Sequence, residues 1–333
     1  MSRVVVLIAV LLSLPLLGLF IPFFTEGSGE AAQELSRQGT LLHLWQTVLG
    51  EYVTSTLLLL IGVGLGVFVL GVGNAWLVAN YQFPGKKIFE WALILPLAIP
   101  TYVMAYLFVD MLQFSGPIQT GLRNVLGLEQ LWFFPDPRSL GGAMWSFSFC
   151  LFPYVYLIAR TSFLDRSGRL SEAAETLGYS GFQAFFRLVL PMARPAIFAG
   201  MALALMEVMA DYGAVAYFGV ETFATGIFRA WLSFSDRLAA VQLSLGLLVF
   251  VILIFYIEQS SRARMRYASS GVVQRAVLPR LLRGKKAFWA FSVCGLTLLC
   301  SFILPVAGLL KLLWEQGLSL DTRYLGWLQN SFG

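Results

Sequence analysis

Residues 171–191 read SEAAETLGYSGFQAFFRLVLP and form a polar loop between two apolar spans. Glu172 and Glu175 are expected in the first turn of a short helix, because negative charge is stabilised at the positive end of the helix dipole. Ser171 is the predicted cap of that helix. Gly178 is predicted to end it, so that the chain turns at this glycine.

A second short helix is predicted to begin at Ser180, where Gln183 completes a capping box three residues later. Its apolar residues follow helical spacing, and Pro191 is expected to stop it. Two short helices joined by a glycine elbow, with Arg187 and Arg194 at a membrane surface, form a compact knob that is suited to press on a soluble partner. An ordinary amphipathic loop is the alternative interpretation.

The spacing of this loop is Glu-Ala-Ala, three residues, Gly, nine residues, an aliphatic residue, one residue and Leu-Pro. It resembles the EAA signature of permease subunits in bacterial binding-protein-dependent ABC importers, although Leu188 stands where isoleucine is usual. In that family the loop docks into a groove on a cytoplasmic ATPase. The resemblance therefore implies that six residues couple the chain to the ATPase: Glu172, Ala173, Ala174, Gly178, Leu188 and Pro191.

The composition excludes a soluble globular protein, because 58% of the residues are hydrophobic, only 12% are charged and the mean hydropathy is +0.76. A bilayer core needs about 20 apolar residues per helix. Seven runs of roughly that length or more lie at residues 4–24, 53–77, 88–109, 140–159, 196–217, 238–257 and 287–314. The sequence thus predicts an all-α polytopic membrane protein, and the resemblance implies the type I ABC importer transmembrane fold with about seven helices.

Basic residues set the predicted orientation, because Lys and Arg are retained on the cytoplasmic side of a membrane. With the N-terminus inside, sixteen of the twenty-three Lys and Arg residues fall in cytoplasmic segments. The loop 171–191 then faces the cytoplasm. We therefore expect a multi-pass protein of the bacterial cytoplasmic (inner) membrane. The net charge of +5 is concentrated in one linker and does not indicate a nucleic-acid partner.

Four regions are predicted along the chain. Residues 1–52 hold an N-terminal transmembrane helix and an extracytoplasmic segment, and residues 53–258 form the permease domain of the ABC transporter type. A basic cytoplasmic linker covers residues 259–286, and residues 287–333 begin a second, truncated permease unit. Residues 327–332, WLQNSF, resemble the opening of the first unit at residues 52–57. This favours part of a two-unit permease, with a truncated copy as the alternative.

Small residues and prolines make further structural predictions for the membrane spans. Pro96 and Pro100 are expected to kink the third span, and the carbonyls that they free need partners on neighbouring helices or in a wet cavity. Cys150, Cys294 and Cys300 lie in apolar spans without metal-ligand spacing and are expected to be packing residues. Close approach to neighbouring helices is predicted for the glycines of the second span: Gly62, Gly64, Gly66, Gly71 and Gly73.

Two carboxylates in the fifth span, Glu207 and Asp211, are candidates for a substrate pathway. A charge inside a membrane span must face the bundle interior, a partner or water. At positions i and i+4 of one helix the two would share a face, and Tyr212 and Tyr217 lie nearby in the sequence. Carboxylate oxygens suit a hard cation. Pairing with groups on neighbouring helices is the alternative role.

Residues 206–231 resemble the corresponding region of ferric-iron permeases, which usually carry both units in one polypeptide. The resemblance implies import of ferric iron, with a transient metal contact at Glu207 and Asp211. It also implies a cytoplasmic ABC ATPase dimer, a periplasmic or extracellular substrate-binding protein, and a second permease unit in the same polypeptide or in another copy. A thiamine, polyamine or other small-solute permease is the alternative.

The sequence contains no phosphate-binding loop of the Gly-x-x-x-x-Gly-Lys-Ser/Thr type. The chain is therefore expected to bind no cofactor and to be no enzyme, with ATP used by the partner ATPase. An ion-gradient transporter would also carry intramembrane carboxylates, but it would have no need of the coupling loop. An intramembrane enzyme would need facing catalytic groups, and the sequence shows no such arrangement.

Overall fold

The computed structural model describes residues 46–130, 134–176, 178–179, 181–263, 280–316, 326 and 329–330. Within these ranges it describes the backbone alone for residues 166–176, 181–182, 261–263, 280 and 316. The predicted first span at 4–24, His43 and most of the 327–332 segment lie outside the described residues.

The described part of the chain is helical apart from two strands of two residues each. In chain order the elements are α1 (Leu49–Asn80), β1 (Tyr81–Gln82), α2 (Lys86–Ala92), α3 (Thr101–Leu112), α4 (Pro117–Leu126), α5 (Leu140–Thr176), α6 (Gly181–Ala184), α7 (Leu190–Ala210), α8 (Gly213–Tyr217), α9 (Phe223–Phe228), α10 (Arg237–Ala263), β2 (Arg280–Leu281), α11 (Lys285–Leu298) and α12 (Leu304–Gln316). Three π-helical turns interrupt or end helices, at Phe185–Val189, Arg229–Ser233 and Leu299–Ile303.

Five helices are long and apolar enough to cross a membrane, and a bent pair makes a sixth if it counts as one span. The five are Leu49–Asn80, Leu140–Asp165, Phe185–Ala210, Arg237–Ser260 and Lys285–Glu315. The predicted spans at 53–77, 140–159, 238–257 and 287–314 are thereby confirmed. An all-helical polytopic membrane fold follows from the apolar composition.

The predicted span at 88–109 is broken near its middle, where a kink at Pro96 and Pro100 was expected. Helix α2 is followed by a 3-10 turn at Leu95–Ala98, and the segments on either side of the break are bent by 97°. The two prolines stand at this break. The carbonyl of Ile99 accepts a hydrogen bond from Cys150 Sγ at 3.6 Å, and that of Glu90 accepts one from Tyr156 Oη at 3.2 Å. A neighbouring helix therefore satisfies carbonyls around the break, as predicted for a proline kink.

Close packing of α1 against α5 forms the centre of the bundle. A Cβ atom at Gly62 or Gly66 would collide with Met144 or Ser148, and one at Gly71 would lie 2.6 Å from Val155 Cβ. The prediction of close helix approach is confirmed at these three glycines. Gly64 meets side chains of α7 only at ordinary contact distance, and Gly73 faces open space.

The two strands join the ends of two distant segments. β1 and β2 pair in parallel, with Tyr81 opposite Arg280 and Gln82 opposite Leu281. Each strand is followed by a Gly-Lys-Lys sequence whose glycine has positive φ and whose lysines begin a helix. The loop at residues 81–87 and the end of the basic linker therefore lie at one end of the bundle, as the predicted topology requires.

Candidate functional site

The candidate coupling loop begins on the longest described helix. Helix α5 continues without interruption from Leu140 to Thr176. The predicted short helix capped by Ser171 is therefore wrong, since residues 171–176 prolong the membrane helix. Glu172, Ala173 and Ala174 lie on this extension, and only their backbone is described. Continuous helix propensity through the Glu-Ala-Ala segment overrides a local capping signal.

Gly178 provides the turn that the sequence predicts. Its φ is +67°, a left-handed conformation that residues with a Cβ rarely adopt, and no atom of the described residues lies within 4 Å of the position where a Cβ would stand. Tyr179 follows, and the Arg187 guanidinium lies 5.4 Å from the centre of its ring. The cation–π contact joins the turn to the returning helix.

Pro191 does not stop the second helix, in contrast to the prediction. Helix α6, the π-helical turn Phe185–Val189 and helix α7 run on continuously to Ala210, and Pro191 lies in the first turn of α7. The Leu190 amide donates to the Phe185 carbonyl across the π-helical turn. A wider turn relieves the clash that a proline ring makes with the carbonyl four residues earlier. Leu188 lies half-buried within this turn.

Aromatic side chains hold the base of the elbow. The ring of Phe185 lies 4.7 Å from that of Trp76 on α1 and 6.4 Å from that of Phe163 on α5. Trp76 and Phe163 also pack edge to face, with ring centres 5.7 Å apart. The elbow is thus seated on the bundle by apolar contacts with two membrane helices.

At its other end, α7 stops at Ala210, and the predicted continuous span to residue 217 is wrong. Asp211 has an extended backbone conformation, and its carboxylate accepts hydrogen bonds from Thr101 Oγ1 and, at 2.8 Å, from the Ala214 amide. Asp211 therefore caps α8 and binds the start of α3. It no longer continues the helical face that carries Glu207.

Glu207 remains in the membrane helix and is exposed in the isolated chain. An exposed carboxylate inside a membrane span must meet water or a further chain. Glu207 thus places one carboxylate on a side of α7 that the described residues leave open.

The two candidate tyrosines lie in different surroundings. Tyr212 stacks on Phe228 with ring centres 4.1 Å apart, beside a cavity of about 200 Å³. Tyr217 packs against Tyr106 at 6.0 Å, and the Arg138 guanidinium lies 5.2 Å from its ring centre. Within the described ranges no three His, Cys, Asp or Glu side chains are grouped as a metal site would require.

Sequence reasoning missed an ion pair beside this cavity. Arg229 Nη2 donates to Glu221 Oε1 at 2.5 Å, and both residues line the cavity with Tyr212. The hydrogen bond to this carboxylate raises the pKa of Arg229 above its ordinary value. Thr222, which follows Glu221, caps α9 through a capping box. That capping pattern was the sequence signal for a helix that brings Arg229 back to Glu221.

A family model described as "Binding-protein-dependent transport system inner membrane component" matches residues 71–267, which include the elbow and all of α7. The chain belongs to this family. Membership confirms a multi-pass inner membrane protein that is a component of a transport system and not an enzyme.

Several bacterial permeases resemble the chain in sequence. The Fe(3+)-transport system permease protein FbpB 2 of Haemophilus influenzae is 29% identical over 98% of this chain and 60% of its own length. The molybdenum transport system permease protein ModB of Escherichia coli is 31% identical over 52% of this chain and 71% of its own length. The chain thus spans about three-fifths of the length of the iron permease that it matches.

A solved bacterial ABC transporter that imports the acidic polysaccharide alginate has a similar fold. The superposition gives a TM-score of 0.59 at 18% identity and covers 80% of this chain and 95% of the solved one. At this identity the likeness shows the fold alone. It confirms the expected ABC importer permease fold.

Proposed function

We propose that the chain is the permease component of an ATP-driven importer and that a separate ATPase drives it through the elbow around Gly178. The length of α5 carries this proposal. Its 37 residues extend about 55 Å, whereas a bilayer core is about 30 Å thick. The part beyond Asp165 projects past the candidate span and carries the Glu-Ala-Ala sequence. A projecting helix that turns back into the membrane suits the transfer of motion from a soluble motor.

The proposed assembly contains a cytoplasmic ABC ATPase dimer, which uses the ATP, and an extracytoplasmic binding protein, which delivers the substrate. The chain itself binds no cofactor in this proposal. The proposal puts the N-terminus and the elbow in the cytoplasm. The pairing of the 81–82 and 280–281 strands, which brings two basic segments to one end of the bundle, supports this orientation. Residues 53–258 and 287–333 belong to successive permease units, and the second unit is completed in the same polypeptide or by another copy.

Crosslinking tests the coupling role. Tyr179→Cys places a thiol at the elbow, and we expect a short bismaleimide to join it to the ATPase in membranes. Gly127→Cys is the matched control, because alternate membrane crossings place the end of α4 on the opposite side. A crosslink between the Gly127→Cys variant and the ATPase would contradict the proposal. So would the absence of a crosslink to either variant in membranes that contain both the permease and the ATPase.

For the substrate we propose ferric iron. The similarity to an iron permease over 98% of this chain and the residues 206–231 support it, and the exposed Glu207 carboxylate in α7 provides oxygen atoms for a hard cation. Asp211 contributes its charge from the end of α7, although its oxygens already accept hydrogen bonds. Tyr212 and Tyr217 are included in the proposed pathway as residues close to Asp211 in the sequence, although their surroundings differ.

An uptake assay with radioactive iron tests this pathway. We expect Glu207→Gln to lower uptake at least fivefold while membrane levels stay normal, because it removes the open charge without changing side-chain shape. Asp211→Asn should lower both uptake and stability. Unchanged uptake in both variants would exclude the two carboxylates from the pathway.

Molybdate or sulfate is the second candidate substrate, because permeases for these oxyanions are 29–31% identical to parts of this chain. The Glu207 carboxylate argues against an anion, since like charges repel in a low-dielectric span. Competition by unlabelled molybdate, sulfate, thiamine or a polyamine in the same uptake assay distinguishes these substrates. If one of these compounds lowers iron uptake at a concentration that keeps the iron dissolved, that compound and not iron would be the inferred substrate.

A further inference from the structure

A groove opens at the membrane boundary where α1 ends and α11 begins. Its volume is about 600 Å³, and it is bounded by the two paired strands. Its lining combines an apolar floor, which includes Leu77, Trp289 and Val293, with a basic rim of Arg283 and Lys286. The groove is separate from the elbow and from the carboxylates of α7.

The basic rim consists of Arg283 and Lys286, and both side chains are exposed. Among the described residues no carboxylate forms an ion pair with either of them. In the equivalent Gly-Lys-Lys sequence before α2, the first lysine, Lys86, lies 3.8 Å from Glu90 and is buried, whereas the second, Lys87, corresponds to Lys286 and is likewise exposed. Arg283 and Lys286 thus place two cations at the same opening, and the described residues give neither of them a carboxylate partner.

The apolar floor continues from this rim toward the membrane interior. Trp289 is 66% exposed and Val293 is 41% exposed on α11, and the half-buried Leu77 faces them from α1. Tryptophan and tyrosine prefer the boundary between headgroups and hydrocarbon, and Trp76 and Tyr81 add two such side chains here. The groove thus has positive charge at its mouth and hydrocarbon contact below.

The two walls of the groove are fixed to each other. Asn74 Nδ2 on α1 donates to Thr297 Oγ1 on α11 at 3.2 Å, and the Leu282 amide donates to the Gln82 carbonyl at 2.9 Å. The groove is therefore pre-formed rather than created by its occupant, and a pre-formed site saves the entropy of ordering its walls on binding.

We propose that this groove binds one anionic glycerophospholipid, such as phosphatidylglycerol. Arg283 and Lys286 bind the phosphate of its headgroup, and an acyl chain lies along Leu77, Trp289 and Val293. Charge complementarity selects an anionic headgroup over a zwitterionic one. The apolar floor selects a lipid over a free phosphate, which would leave that floor in contact with water. This binding site is independent of the transported substrate.

Native mass spectrometry of the full chain, released from nanodiscs that hold equal amounts of phosphatidylglycerol and phosphatidylcholine, measures the preference. A basic residue close to an anionic surface contributes about fivefold in binding, so two contribute about 25-fold. We expect the Arg283→Gln, Lys286→Gln double variant to lose most of the preference of the natural protein. A preference unchanged in that variant would overturn the proposal.

The matched control is the Lys87→Gln, Lys285→Gln double variant. It removes the same charge from exposed residues at the same end of the bundle, outside the groove, and we expect it to keep the preference. The charge-conserving variant Arg283→Lys, Lys286→Arg should also keep it, which separates lipid binding from failure to fold. If the control and groove variants lose the preference for phosphatidylglycerol equally, the anionic lipid is attracted by the basic surface in general. That result would overturn the proposed site.

A phosphatidylglycerol with a photoactivatable group in its acyl chain locates the lipid. We expect labelled peptides from residues 76–77 and 289–293, in the isolated chain and in the assembled transporter. Labelling that disappears on assembly would assign the groove to a protein partner, and labelling confined to other spans would exclude the lipid from it.

Discussion

The two ends of α7 are held by different kinds of contact. At the elbow end the helix continues through a π-helical turn and rests on aromatic rings, of which Phe185 and Trp76 are closest. At the far end, Asp211 is fixed by hydrogen bonds to Thr101 and to the Ala214 amide. Apolar contacts are non-directional, whereas hydrogen bonds fix geometry. The far end is therefore fixed by hydrogen bonds, whereas the described contacts of the elbow end are mainly between aromatic rings.

This difference suits a helix that carries motion from the elbow to the pathway. The continuous segment Phe185–Ala210 has 26 residues and measures about 39 Å along its axis. A displacement at the elbow reaches Glu207 only if the helix moves as one body. Variants at the elbow should therefore impair transport more than folding, and variants at the far end should do the reverse.

Gly178→Val should have the largest effect on transport. A left-handed conformation costs about 1–2 kcal/mol for a residue with a Cβ, and more for a β-branched one. The turn that aims the elbow at the ATPase would be lost. We expect ATP-driven uptake in membrane vesicles to fall more than tenfold at a normal membrane level.

Gly127→Val is the matched control for this strain. Gly127 has φ +66°, and no described atom lies within 4 Å of the position where its Cβ would stand. It ends α4 on the side of the membrane opposite to the elbow in the proposed topology. We expect a change in uptake of less than about twofold, because a surface change away from functional contacts has little effect. Equal losses in both variants would show that strain alone, and not the elbow, limits transport.

Asp211→Ala should have the largest effect on stability. The substitution leaves Thr101 and the Ala214 amide without their acceptor, and each unsatisfied group costs about 1–3 kcal/mol. We expect the free energy of unfolding in detergent to fall by about 2–4 kcal/mol. Thermal denaturation followed by circular dichroism measures the loss.

The comparison variant is Glu207→Ala, on the exposed face of the same helix. Its effect on the free energy of unfolding should stay within about 0.5 kcal/mol, although uptake should fall as for Glu207→Gln. If Glu207→Ala lowers the free energy of unfolding more than Asp211→Ala does, then Asp211 is not the carboxylate that stabilises the fold. Glu207 would then not be the exposed carboxylate that serves transport.

The contrast between these two carboxylates also shows what the sequence can predict. Apolar runs located four spans well, because burial in lipid requires long continuous helices whatever the local signals. The end of α7 escaped that reasoning, because the chain becomes apolar again at Ala214–Ala216, soon after Asp211. A capping signal was present, since Asp211 stands three residues before the Ala214 amide that it binds.

The loop 171–191 shows the opposite error. Its capping residue, Ser171, and its proline were interpreted as helix ends, yet both lie within helices. Local signals are weak where tertiary packing favours continuation, as the aromatic contacts of Phe185 do. Gly178 was predicted correctly, because only a residue without a Cβ adopts its conformation easily.

Phe185→Ala tests the aromatic seat of the elbow. The half-buried ring contacts Trp76 and Phe163, and its removal should lower the free energy of unfolding by about 2 kcal/mol, below the range for fully buried phenylalanines. Phe198→Ala removes an exposed ring from the same helix and should cost less than about 1 kcal/mol. Chemical denaturation of both variants in one detergent gives the comparison; equal losses would exclude a special role for the seat.

Pro191→Ala should have the smallest effect on stability. Two of the π-helical turns directly precede a Leu-Pro sequence, at Leu190-Pro191 and at Leu304-Pro305. The recurrence indicates that the proline ring causes the wide turn. An alanine restores an amide donor and permits a regular α-helix, which rotates the elbow by about 100° relative to α7. The added hydrogen bond should raise the free energy of unfolding, and the disturbed aromatic packing should lower it.

We therefore expect Pro191→Ala to change the free energy of unfolding by less than about 1 kcal/mol and to lower ATP-driven uptake two- to threefold. Pro305→Ala changes the same local geometry far from the elbow and should leave uptake unchanged. Equal uptake in the two variants would mean that the angle between elbow and helix does not matter. Since α7 transmits motion only as one body, that angle sets the direction in which a displacement at Gly178 moves Glu207.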